Sequence, residues 1–103
     1  MNAQEVHKND IGTVFEITVK DGDWVVDIST ATKLQITFTK PGGAKLTKTA
    51  TLSGDGTNGK LFYKTVAGDL DTVGTWKIQG FLKTDTGEEW HTKISTFPVF
   101  DNL

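Results

Sequence analysis

Apolar and polar residues alternate with a period of two along most of this chain, the mark of half-buried β-strands. Ile11, Thr13, Phe15, Ile17 and Val19 alternate with Gly12, Val14, Glu16, Thr18 and Lys20, which predicts one long strand with an apolar face. Asp21-Gly22-Asp23 reads as a tight turn. Beyond it Trp24, Val26 and Ile28 share one face and Val25 and Asp27 the other. After Ser29–Thr32 the alternation resumes, with Leu34, Ile36 and Phe38 set against Lys33, Gln35, Thr37 and Thr39.

Lys40-Pro41-Gly42-Gly43 is a hairpin turn, because proline presets one dihedral and glycine accepts positive φ. The returning segment from Ala44 to Leu52 carries Leu46, Ala50 and Leu52 on one face, interrupted by Lys48, a pattern that suits a sheet edge. Residues 53–59 form a loop. Leu61, Tyr63 and Thr65 then alternate with Phe62, Lys64 and Val66. Residues 67–75 are a polar corner with a helical turn expected at 68–72. Trp76, Ile78, Gly80 and Leu82 follow in register.

The last strand is expected from Trp90 to about Phe100, after a turn at Asp85–Glu88. Trp90, Thr92 and Ile94 have one parity and Phe97 and Val99 the other. A strand changes its buried face only through a bulge or break, which is expected near Ser95-Thr96, and Pro98 agrees. Strands spaced in this way with turns between them predict an all-β fold, an immunoglobulin-like β-sandwich of about seven antiparallel strands in two sheets. Phe15, Ile17, Trp24, Ile36, Phe38, Ile78 and Trp90 are the expected core. Residues 1–9 are expected to form a polar N-terminal arm, mobile or serving as a docking tail. Residues 10–100 would be the sandwich and 101–103 a C-terminal tail.

A chain of 103 residues has the length of one domain and buries enough surface to fold without staples. It has no cysteine, so disulfides and thiolate metal sites are excluded. No apolar run reaches the length of a membrane helix, and the first ten residues lack the apolar stretch of a signal peptide. Lysine supplies every basic charge, 11 residues against 13 acidic ones. Without arginine or a basic excess, the chain has neither the phosphate- and guanine-reading side chain nor the charge of a nucleic-acid binder.

Catalytic chemistry finds little footing. Ser29, Ser53 and Ser95 lie in no nucleophile elbow, and His7 and His91 read as solvated histidines. Asp21–Asp23 and Asp55–Gly59 resemble pieces of calcium loops. The EF-hand positions that demand glycine and glutamate are instead Val26 and Thr32 when counted from Asp21, and Lys60 and Val66 when counted from Asp55. No metal or cofactor is expected. Glu88-Glu89 and Asp69/Asp71 sit in turns, where solvation is the simpler reading of paired carboxylates. Trp24, Tyr63, Trp76 and Trp90 could make a sugar-stacking platform, but the tryptophans stand in register with aliphatic neighbours and are read as core.

Three segments, in order, carry a family resemblance. Asp10-Ile11-Gly12-Thr13 runs into a long strand ending in Asp21-Gly22. Phe38-Thr39-Lys40-Pro41-Gly42-Gly43 follows a Thr-Lys-Leu-x-Ile strand. Ala67-Gly68-Asp69-Leu70-Asp71-Thr72-Val73-Gly74-Thr75-Trp76 leads into the penultimate strand. Over about Asp10 to Phe100 the chain resembles the immunoglobulin-like N-terminal domain of the phage baseplate upper protein family, found in tail and baseplate proteins of siphophages and prophages. Leu70, Asp71, Gly74 and Trp76 also resemble the aromatic-locked corner before strand F of immunoglobulin-like domains. One extra residue separates Asp71 from Gly74, and the antibody-type cysteines are missing.

The resemblance implies a non-enzymatic virion structural protein, made in the host cytoplasm, that docks onto other virion subunits of tail, baseplate or capsid. It would be present in multiple copies in a symmetric assembly, with neither nucleic acid nor membrane as partner. A decorating role at the head surface belongs to the same expectation. The alternative is a carbohydrate-binding immunoglobulin-like module that aids attachment to host surface glycans, with Tyr63, Trp24 or Trp90 exposed on one face.

Overall fold

A computed structural model describes residues 5–103, and every regular element among them is a β-strand. The strands are β1 (Val6–His7), β2 (Val14–Thr18), β3 (Lys20–Asp21), β4 (Trp24–Val25), β5 (Ala31–Thr39), β6 (Lys45–Thr49), β7 (Thr51–Leu52), β8 (Lys60–Lys64), β9 (Gly74–Thr84), β10 (Glu89–His91) and β11 (Ser95–Phe100). A six-stranded sheet runs in the order β1-β11-β9-β5-β6, with β10 also paired to β9. A three-stranded sheet runs β2-β8-β7, and β3 and β4 make a separate two-stranded hairpin.

The two larger sheets meet through a cluster of aromatic rings. Phe15 of the smaller sheet lies 5.2 Å from Phe38 and 4.8 Å from Phe97 of the larger one. Trp76 lies 6.4 Å from Phe38 and 5.9 Å from Phe97. The rings are tilted or edge-on, the arrangement their quadrupoles favour. Ile28, Ile36, Leu61, Leu70, Ile78, Leu82 and Val99 belong to the same buried cluster, with Val6, Val19 and Ala50. Along β9 the period-two reading holds residue by residue, with Trp76, Ile78, Gly80, Leu82 and Thr84 buried.

The strands are more numerous and shorter than the alternation alone implies, for three local reasons. First, the segment expected as one strand from Ala44 to Leu52 changes sheets at Ala50, so that β6 pairs with β5 and β7 with β8. Second, between the pairs His91↔Phe81 and Ser95↔Ile78, residues 92–94 stand opposite residues 79–80. This one-residue excess is a bulge, and it produces the parity change from Thr92 to Phe97. It lies slightly before Ser95-Thr96. The Thr92 hydroxyl fills the gap by accepting from the Gly80 N–H at 2.8 Å. Third, the strand expected from Ile11 begins only at Val14. Gly12 has φ +89°, which bends the chain, and Ile11 is exposed.

Other expectations are corrected by the structure. Residues 67–70 form a turn rather than a helical one, closed by the Asp69 N–H on the Val66 carbonyl at 3.2 Å. Trp24, expected in the core, is 82% exposed. It shares parity with Val26 and Ile28, but its hairpin projects as a sheet of its own with no opposing layer. Of the other residues assigned to the core, Phe15, Ile36, Phe38 and Ile78 are buried, while Ile17 and Trp90 are half-buried and pack against the cluster. Of the arm at 1–9, residues 1–4 lie outside the described residues. Val6 and His7 pair in parallel with Val99 and Phe100, and Val6 is buried.

Candidate docking surfaces

The polar corner joins β8 to β9 and is held from three sides. Trp76 is fully buried, and its indole Nε1 donates to the Thr72 carbonyl at 2.8 Å. Lys40 Nζ reaches Asp71 at 2.9 Å and lies 5.9 Å from the centre of the Trp76 ring. Asp71 is therefore held below the usual carboxylate range, chiefly by Lys40 and then by the Thr72 hydroxyl. Gly74 has φ +133°, and a Cβ there would lie 2.7 Å from Cγ of Pro41. Leu70 is buried beneath the corner. Leu70, Asp71, Gly74 and Trp76 thus come together, and they lock the corner onto the 40–43 turn.

A second network was not legible in the sequence. Asp69 is buried, and its carboxylate accepts from the Tyr63 hydroxyl at 2.5 Å and the Val66 N–H at 2.9 Å, with Lys48 Nζ at 3.2 Å. Burial pushes the Asp69 carboxyl up, but these donors outweigh it and leave it lowered. Burial first, and then the bond to Asp69, raise the Tyr63 phenol to about 12. Lys48, read as an edge lysine that interrupts an apolar face, is the cation of this network.

Near the same end the segment around Lys8 and Asn9 is tied to the corner and to the segment around Phe100 and Asn102. Lys8 N–H donates to Phe100 O at 2.8 Å, Asn9 N–H to Leu70 O at 2.6 Å, and Asn102 Nδ2 to Lys8 O at 2.7 Å. The His7 ring lies tilted 5.9 Å from that of Phe100 and bonds Glu5 at 2.9 Å, an interaction that raises the imidazole above its ordinary value.

The outer face of the six-stranded sheet is polar and basic. Register pairs Thr39 with Lys45 and Lys77, Thr37 with Thr47 and Gln79, Gln35 with Phe81 and Thr49, and Lys33 with Lys83. Glu89 opposite Lys83 and His91 opposite Phe81 extend this face across β10. An open depression of about 470 Å³ crosses it, lined among others by Lys33, Lys45, Gln79, Phe81 and His91. The His91 ring lies 5.0 Å from that of Phe81, with Lys33 Nζ 6.0 Å from the same ring.

The third exposed feature is the β3–β4 hairpin. Residues 20–25 are all exposed, Trp24 among them. At its root Val26 N–H donates to Val19 O at 3.0 Å and Val19 N–H to Gly59 O at 2.7 Å. Behind it Asp27 and Asp55 are held as carboxylates by hydrogen bonds from Ser29 and Thr57.

Trp24, Tyr63 and Trp90 do not share one open face. Trp24 stands on the hairpin, Tyr63 is half-buried in β8 with its hydroxyl on Asp69, and Trp90 is half-buried in β10. Among the described residues no group of three or more His, Cys, Asp or Glu could hold a metal, and no helix is long and apolar enough to cross a membrane.

The family described as the BppU N-terminal domain matches residues 2–103. No curated protein matches the chain. Among solved structures the fold is similar to that of CopC from Methylosinus trichosporium OB3b, with a TM-score of 0.60, 12% identity, and coverage of 98% of this chain and 90% of that one. At that identity the likeness concerns the fold alone.

Proposed function

The chain belongs to the BppU N-terminal domain family, the N-terminal domain of the phage baseplate upper protein, and from that premise we propose a non-enzymatic structural module that docks onto other subunits of the phage particle. The family is one of phage structural baseplate domains, and its match spans nearly the whole chain; that observation carries the reading. The architecture supports it. The histidines have partners of a structural kind, His7 with Glu5 and Phe100 and His91 with Phe81. The paired carboxylate Asp69 is spent on holding a corner.

We read the layers as an immunoglobulin-like sandwich. Taking β2 with β3, β6 with β7 and β10 with β11 as continuations of single strands leaves about seven strands besides β1. The tail or baseplate is the favoured position. Neighbouring virion proteins, repeated by the symmetry of the particle, are the partners.

Density-gradient purification of particles from lysed host cells, followed by mass spectrometry, tests this reading. The protein should band with intact particles and resist a high-salt wash. A protein recovered only in the soluble fraction would overturn it.

A further inference from the structure

The exposed hairpin and the basic sheet face are complementary to each other. Trp24 is a large, well-positioned apolar side chain, of the kind that anchors protein interfaces. Asp21 and Asp23 flank it on the same hairpin, which also carries Lys20, and with Asp27 and Asp55 behind its root the carboxylates outnumber that one lysine. A surface that receives it therefore needs an aromatic or apolar floor with cations around it. The outer face of the six-stranded sheet has this composition. Phe81 and His91 form the floor, and Lys33 and Lys45 stand at the margin, with Lys77 and Lys83 on the same face. The depression is open and has a volume of about 470 Å³.

We propose that copies of this chain associate head to tail, the Trp24 hairpin of one copy seating on the Lys33–Lys45–Phe81–His91 depression of the next. The inference rests on the reading of the chain as a repeated structural module. The contact is heterologous, because the two surfaces differ, so it propagates into a ring or a row instead of stopping at a two-fold dimer. A hairpin this short buries less than the roughly 1,200 Å² at the low end of stable complexes. The contact is correspondingly weak between free copies and is strengthened when a particle holds them side by side. Carboxylates facing lysines make it sensitive to salt.

Sedimentation velocity on the full chain, over a concentration series reaching about 1 mM, a range in which weak contacts of this size populate, tests the proposal. The wild type should show a weight-average mass that rises with concentration beyond that of a dimer and falls back in 0.5 M NaCl. Trp24→Ala removes the anchor and Lys33→Glu/Lys45→Glu reverses the margin; each alone should remain monomeric while melting as the wild type does. Mixed, they should form a dimer and nothing larger, since one supplies an intact depression and the other an intact hairpin. A wild type that stays monomeric throughout would overturn the proposal and leave the two surfaces to a different subunit or a glycan. A Trp24→Ala variant that associates like the wild type, or a mixture that stays monomeric, would overturn it equally. These outcomes are read in free solution, so they are separate from whether the protein bands with particles.

Discussion

The indole N–H of Trp76, at the start of the longest strand, donates to the carbonyl of Thr72 four residues earlier, across 2.8 Å. The side chain thereby closes the corner polar-side up and fills the core with its ring. Truncation to alanine leaves a cavity among Phe38, Phe97 and Leu70 as well as an unpaired carbonyl. Trp76→Ala should lower stability by about 3–5 kcal/mol. Trp76→Phe, which keeps a ring but loses the donor, should cost less. Urea unfolding followed by circular dichroism distinguishes the two, and a loss under about 1 kcal/mol for the alanine variant would contradict a fully buried indole.

Asp69 and Tyr63 set the pH limits of the same region. The Asp69 carboxyl is lowered in the fold, so the stability it contributes is complete above the ordinary carboxylate value and is lost as pH falls from there through the lowered one. The Tyr63 phenol is raised to about 12 from 10.0, so its contribution is complete below pH 10 and is lost as pH rises toward 12. Melting temperatures measured across pH should fall at both ends. Tyr63→Phe should remove the alkaline fall, and Asp69→Asn should flatten the acid one while lowering stability at neutral pH.

Val6 belongs to the core although it stands in a polar stretch. Its side chain is 2% exposed, and β1 borders the six-stranded sheet. Val6→Ala should cost about 1–3 kcal/mol, and removing residues 1–9 should destabilise the fold measurably. A truncated protein that melts with the full chain would mean that β1 contributes nothing to folding.

Gly74 is the position where the corner tolerates no side chain. Its φ of +133° and the 2.7 Å approach to Pro41 make Gly74→Ala costly, by about 1–3 kcal/mol of backbone strain. Gly42→Ala has open space around it and should cost less than Gly74→Ala in the same melts.

Trp24 should behave in the opposite way to Trp76. Trp24→Ala should change stability by no more than about 0.5 kcal/mol, as surface substitutions do. It should also blue-shift the tryptophan emission, because the remaining indoles are buried or half-buried. An unshifted spectrum would place Trp24 in the core after all.

The alternation of side chains made the sheets legible, because a buried face on one side and water on the other impose a period of two. Phe15, Ile36, Phe38, Trp76 and Ile78 follow from it directly. Parity states which side of a strand a residue occupies and not whether another layer stands opposite. Trp24 escapes the reading for that reason: its hairpin extends past the second sheet. Val6 escapes because β1 has two residues, too few for any period to register. The Asp69 site escapes because its partners, Tyr63 of β8 and Lys48 of β6, belong to different sheets and meet only when the sheets stack. The corner residues Asp71, Gly74 and Trp76 were legible, since a turn, a glycine and an aromatic at short spacing serve one local purpose. The bulge before β11 was legible as a change of parity, and its position differed slightly, at residues 92–94, where the Thr92 hydroxyl accepts from the Gly80 N–H.

Cryo-electron microscopy of intact particles carrying the protein tests the central claim most directly. The account predicts ordered density for the domain in several symmetry-related copies at the tail or baseplate, each in contact with neighbouring subunits through its exposed faces. Particles complete and infectious without the protein, or density in which the domain contacts no other subunit, would contradict it.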